Sequence, residues 1–196
     1  NPFKKKEVRQ ALYQAIDIEA IKKKVMRGLS EPAGIITFPG VNGYTKELDK
    51  RLPYDVDAAK KLLADAGYPK GFDVELRCPN DRYVNDEAIC TAVVGMLGKI
   101  GVNVNLFAQT KSKHFKELKE DKGDFYMLGW GVPTLDSHYV FHYLYESGAS
   151  WNKVNFSNSD VDAAIRVMEG EVDLDKRNAA IANAWKIVKD DISYLP

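Results

Sequence analysis

Residues 72–130 hold the feature that most restricts the fold, an alternation of strand-like and helix-like periodicity. Phe72, Val74, Leu76 and Cys78 alternate with Asp73, Glu75 and Arg77, the period-2 pattern of a strand. Ile89, Val93, Met96, Leu97 and Ile100 then share one helix face, and Gly101 closes it. Val102, Val104 and Leu106 alternate with Asn103 and Asn105 in a second strand. A short helix with Phe115 and Leu118 inward leads to a third strand, Asp124–Trp130. Strand, helix, strand, helix, strand gives parallel strands joined by right-handed crossovers. The expected class is α/β, a mainly parallel sheet with helices on both faces, its strands ending at one edge.

Helices flank this unit. Val8, Ala11, Leu12, Ala15 and Ile16 repeat at helical spacing over residues ~5–16. Asp17 is placed to cap a second helix, Ile18–Arg27, which Gly28 ends. Residues 29–54, rich in Pro, Gly and Tyr, read as an irregular surface connection. Asp55 or Asp57 caps the next helix, Ala58–Ala66, with Gly67 at its C-terminal end. Three more helices are expected at ~137–147, ~159–169 and ~174–190, the last burying Ile181, Ala184, Trp185 and Val188. Ile192–Pro196 reads as the start of another strand, so the chain looks cut there.

Charge and length exclude some functions. Lys+Arg and Asp+Glu are each 28 in 196 residues, which removes the electrostatic footprint of a nucleic-acid binder. No apolar run reaches the ~18 residues of a membrane span, and Asn1-Pro2-Phe3 runs straight into lysines rather than a signal peptide. Two cysteines, Cys78 and Cys90, are too few for a disulfide scaffold or a four-cysteine zinc site. They could pair in an oxidising compartment. A strand end and a helix often stand further apart than the ~5.5 Å between Cα atoms that a bridge wants, which favours two buried free thiols.

Open parallel sheets bind ligands at the carboxyl ends of their strands. Here those ends are Pro79–Tyr83, Ala108–Thr110 and Gly131–Asp136. Arg82, Tyr83, Trp130 and Asp136 would converge there as an aromatic floor, a cation and an anion. The plainer reading is ordinary turn residues with Trp130 in the core. His138, His142 and Glu146 lie at i, i+4 and i+8 on one helix, a face that could ligate zinc, but no fourth ligand is indicated and no metal is expected. No Gly-x-Ser-x-Gly, Gly-x-Gly-x-x-Gly or phosphate loop occurs, and His114 has no evident nucleophile beside it. Asp190-Asp191 reads as a solvated helix end. No catalytic group and no cofactor are expected; a small cytosolic α/β enzyme remains the competing class, and a signalling or chaperone-like adaptor a third.

Several segments together resemble the family 5 extracytoplasmic solute-binding proteins, the oligopeptide, dipeptide and nickel-binding group. They are Val8–Leu12 with Ala15-Ile16-Asp17, Tyr54-Asp55 with Ala59–Leu63, Ala66-Gly67-Tyr68 and Gly71-Phe72, Ile100–Val104, Phe125–Trp130 with Asp136, Asn155–Asn158 with Val161-Asp162, and Tyr194-Leu195-Pro196. The resemblance implies a periplasmic-binding-protein type II fold of which residues 1–196 are the second lobe, with a first lobe and signal peptide before Asn1 and a return segment after Pro196. It implies a monomeric periplasmic or extracytoplasmic protein, lipid-anchored or free, that passes solute to an ABC transporter permease. Gly129, Trp130 and Gly131 would contact the ligand from this side, with Arg82, Tyr83 and Asp136. Peptide binders of the family carry an aspartate three residues after that tryptophan to pair with the ligand's amine, and Asp136 corresponds to a later aspartate, more often structural. Here the pairing position is Pro133, so a glycoside, opine or modified peptide stands beside a peptide as solute, with Arg82 available for its carboxylate or phosphate.

Overall fold

A computed structural model describes residues 1–196 as two compact units, Asn1–Pro32 with Leu52–Gly129, and Ala33–Arg51 with Trp130–Pro196. Each has its own hydrophobic core.

In the first unit α1 (Lys6–Ala15) buries Val8, Ala11, Leu12 and Ala15. A short helix, α2 (Ile18–Ala20), continues as a π-helical stretch, Ile21–Val25. The Asp17 carboxylate accepts the Ala20 N–H at 2.9 Å, as the capping pattern implies. α3 (Val56–Asp65) packs Ala59 and Leu63 inward, and Asp55, not Asp57, is its cap, accepting from the Ala58 N–H at 2.8 Å.

β1 (Phe72–Pro79), α4 (Asp86–Gly98), β2 (Val102–Gln109), α5 (Lys111–Lys119) and β3 (Phe125–Tyr126) follow in the expected order. The strands are parallel, in the order β2-β1-β3, so their carboxyl ends share one edge. β1 and β2 run in full register from Phe72↔Val102 to Pro79↔Gln109. They start beside Gly71 and Gly101, both at positive φ (75° and 82°), and a Cβ on Gly71 would collide with the Gly101 backbone.

Four expectations change here. The third strand is two residues long, not seven, and Trp130 does not close it. Pairing stops once Met127 N–H has reached Arg77 O at 2.9 Å, and the Gly129–Pro133 stretch that follows supplies two glycines and a proline that strands disfavour. In α5 the inward residue is His114, fully buried with Leu118, while Phe115 is half-buried. Ile192–Pro196 pairs with no strand. Cys78 and Cys90 are buried as expected but form a disulfide. α4 begins close to the end of β1, so the two Cα atoms are 6.6 Å apart, within bridging range.

In the second unit α6 (His138–Val140, continuing as a π-helical stretch over Phe141–Tyr145), α7 (Ser159–Gly170) and α8 (Leu174–Asp191) enclose a core. Phe141 and Trp185 pack with their rings tilted, 4.6 Å between centroids, and Trp185 donates its indole N–H to Ser137 Oγ at 3.0 Å. Residues 33–51 belong to this unit rather than forming a surface connection. Ile35 and Val41 are buried in its core, and Asn42 bridges to Asp136 as an isolated parallel β-pair. Their buried positions follow no helix or strand period, so they carry no periodic signal.

Candidate functional site

At the sheet edge of the first unit, one buried carboxylate shapes the loop after β1. Asp86 Oδ2 accepts the N–H groups of Arg82 and Tyr83, each at 2.9 Å, and Oδ1 accepts that of Glu87. Burial acts to raise its pKa, but these backbone donors outweigh it and hold the carboxyl below its ordinary value. Asp81 accepts the Lys111 N–H at 2.5 Å and so satisfies a free donor at the start of α5. The loop is therefore built rather than slack.

On this frame Tyr83 meets Gly129, which leaves the end of the sheet two residues after Met127. The Tyr83 hydroxyl lies 3.4 Å from Gly129 O, and a Cβ on Gly129 would come within 2.6 Å of the ring, so only glycine lets the ring lie there. Arg82 is exposed, its guanidinium carbon 5.0 Å from the Tyr83 ring centroid, and it pairs with no carboxylate. Below the loop, Arg77 lies over Phe107 at 3.9 Å and bridges Glu75 and Glu117, while Gln109 donates to Glu117 at 2.8 Å. This network ties β1 and β2 to α5. The structure thus brings together Arg82 and Tyr83, expected at the strand ends, and Gly129, expected from the family resemblance.

Trp130, Gly131 and Asp136 belong to the second unit. Trp130 is half-buried against Tyr139, Tyr143 and Trp151, each ring about 6 Å away, and its buried indole Nε1 has no partner. Gly131 and Pro133 are exposed. Asp136 is fully engaged within its unit. It takes a bidentate pair of bonds from Arg177 at 2.8 and 2.9 Å, one from Asn42 at 3.0 Å and one from the His138 N–H at 2.9 Å. Burial raises its pKa, yet Arg177 and these donors hold it below the usual carboxylate range. Sequence reasoning did not find Asp86, Asn42 or Arg177. Asp86 had a local signal, a carboxylate opening a helix after a loop; Asn42 and Arg177 lie 94 and 41 residues from Asp136 and had none.

Residues 1–152 match the family model described as bacterial extracellular solute-binding proteins, family 5 middle. A heme-binding protein A from Haemophilus influenzae is 29% identical over all of this chain and 36% of its own. A dipeptide-binding protein from Escherichia coli is 30% identical over 80% of this chain and 30% of its own. Among solved structures, the binding protein AgaA from A. tumefaciens R10, in complex with agropinic acid, superposes with a TM-score of 0.86 at 27% identity, covering 97% of this chain and 39% of that one. The chain spans about a third of the length of the curated relatives it matches. It belongs to the family 5 bacterial extracellular solute-binding proteins.

Proposed function

We propose that the chain is the second lobe of the solute-binding component of an ABC importer. In the whole protein a first lobe would close over it, and a membrane permease would receive the solute. The location is periplasmic or otherwise extracytoplasmic, and the role is binding rather than catalysis. Family membership supports this, as do relatives described as binding heme and dipeptide.

The observation that carries the reading of the site is Arg82. It is an exposed, unpaired cation at the carboxyl edge of a parallel sheet, backed by an aromatic ring on a loop held rigid by Asp86. A solute carboxylate is its natural partner, because a guanidinium gives paired, charge-assisted hydrogen bonds. In the second unit, Asp136 is committed to Arg177, and the position three residues after Trp130 is Pro133, which brings no charge. This favours an anionic solute of peptide or opine type over one recognised through its free ammonium, and the AgaA complex with agropinic acid is a precedent within the same fold.

The test is calorimetry on the whole protein with a dipeptide, an N-acetylated dipeptide, an opine and heme. At least one carboxylate ligand should bind, and blocking the amine should leave affinity within a few-fold. Arg82→Ala should weaken the carboxylate ligand about tenfold or more, the range for one charged hydrogen bond of ~1.5–3 kcal/mol. Loss of binding on acetylation, with no effect of Arg82→Ala, would overturn the anionic reading.

A further inference from the structure

α6 carries three stripes. Val140, Phe141 and Leu144 enter the core, and Tyr139 and Tyr143 face Trp130. The third stripe is His138 and His142, with Glu146 at the residue that ends the helix, and the structure sets a residue of α7, Glu169, against it. His138 Nε2 is 3.5 Å from Glu169 Oε1, and His142 Nδ1 is 4.0 Å from the same oxygen and 2.8 Å from Glu146 Oε2. Donor atoms of His138, His142 and Glu169 all lie within 4.8 Å of one another. This supplies the fourth ligand that sequence spacing alone could not.

We propose that His138, His142, Glu146 and Glu169 form a binding site for a borderline divalent metal such as Zn2+. Four donors ~2.0–2.1 Å from zinc at tetrahedral angles stand ~3.3–3.4 Å apart; His138 and His142 stand 3.5 and 4.0 Å from Glu169 Oε1, and Glu146 reaches the group through His142 at 2.8 Å. Two imidazoles with two carboxylates suit zinc, and also copper or nickel, better than magnesium or calcium, which take all-oxygen sets. A second observation points the same way. His138 Nε2 is a buried atom with no hydrogen-bond partner and Glu169 Oε1 3.5 Å away, and buried His142 Nδ1, although 2.8 Å from Glu146 Oε2, makes no well-aligned hydrogen bond to it. Buried polar atoms normally find one, and a metal ion between these groups would satisfy both nitrogens at once.

The site is also braced. The His138 N–H donates to Asp136, Arg177 holds both oxygens of Asp136, and Arg177 Nε donates to Met168 O, the residue before Glu169. One arginine therefore sets the start of α6 against the end of α7, where the ligands lie. Outer contacts of this kind commonly tune metal affinity by 10–100-fold. The metal would pin two helices of the second unit, and it does not depend on which solute the protein carries.

The chain, made without a histidine tag and stripped of metal, should bind one Zn2+ by calorimetry and show no saturable heat with Mg2+. His142→Ala and Glu169→Gln should each weaken Zn2+ at least tenfold, and Arg177→Ala should weaken it less, through positioning. Glu169 is half exposed, so its substitution leaves the fold intact, which circular dichroism checks. Co2+ added to the unaltered chain should give the intense visible absorption of a four-coordinate site. Zn2+ affinity unchanged by both substitutions, or a pale six-coordinate Co2+ spectrum, would overturn the proposal.

Discussion

Asp136 holds four hydrogen bonds with its two oxygens, and the cost of disturbing it follows from what would be left behind. Replacing it with asparagine leaves the Arg177 guanidinium, only 17% exposed, facing a neutral amide. Removing one partner of a buried, hydrogen-bonded charge costs ~3–5 kcal/mol, and this pair is partly exposed, so Asp136→Asn should cost ~2–3 kcal/mol in urea unfolding at pH 7. The acid side changes as well. The folded pKa lies below the unfolded one, so the stabilisation is complete above the unfolded value near 4 and fades as pH falls through the folded value. The substituted protein should lack that part of the acid loss below about pH 4, and equal acid slopes in the two proteins would refute it. His114 has the opposite chemistry. Its Nε2 lies 3.0 Å from Met127 O, and its buried Nδ1 has no acceptor, so burial holds the ring neutral and its pKa below the ordinary histidine value. The unfolded chain then takes up a proton first as pH drops below ~6.5, and stability should fall there by at most ~1.4 kcal/mol per pH unit. His114→Gln, which can still donate to Met127 O, should remove that share of the slope between pH 7.5 and 5.5.

Among the elements, the Cys78–Cys90 disulfide ties the end of β1 to the first turns of α4. Its loop is short, with a separation of 12 residues, so the chain-entropy contribution is ~3 kcal/mol. The oxidised protein should show no alkylatable thiol until it is unfolded and reduced, and Cys78→Ala/Cys90→Ala should lower the unfolding free energy by ~2–3 kcal/mol. A free-thiol titre in the native protein would contradict the bond. The cysteine pair also shows what a sequence conveys and what it does not. α1, α3, α7 and α8 were legible because a helix writes its stripe and its caps into neighbouring residues, as with Asp55 before α3 and Gly67 after it. β1 and β2 were legible because alternation records one apolar face. β3 was overestimated because it is an edge strand with only two paired residues, and beyond it Met127 packs on the first core while Trp130 packs among aromatic rings of the second unit. At the site, the strand-end rule named Tyr83 as a candidate and the family resemblance named Gly129, and neither revealed the ring-on-glycine contact. Distances across elements, such as Cys78 to Cys90 or Arg177 to Asp136, are set by packing and leave no local trace.

At the scale of the whole molecule, the chain crosses between units at 32/33, 51/52 and 129/130, so neither unit is one continuous segment. Residues 33–51 are the instructive case. They contribute Ile35 and Val41 to the second core and the Asn42 bridge that orders Asp136, yet they sit in sequence between α2 and α3 of the first unit. The two cores share no buried residue, and all three tryptophans, Trp130, Trp151 and Trp185, lie in the second unit. This separates two readouts, since β1 and β2 report on the first unit through amide exchange and tryptophan emission reports on the second. Leu97 is fully buried in the first core, and Leu97→Ala should cost ~3 kcal/mol by cavity formation. Amides of β1 and β2 should then exchange about a hundredfold faster, while those of α7 and α8 change by less than tenfold, because local openings follow the core that secures them. The converse holds for Ile181→Ala in α8, which should blue-shifted emission lose at a lower urea concentration and leave β1 protected. If either substitution accelerates exchange equally in both sets, the two cores open as one cooperative body, and the division into units describes packing density without describing stability.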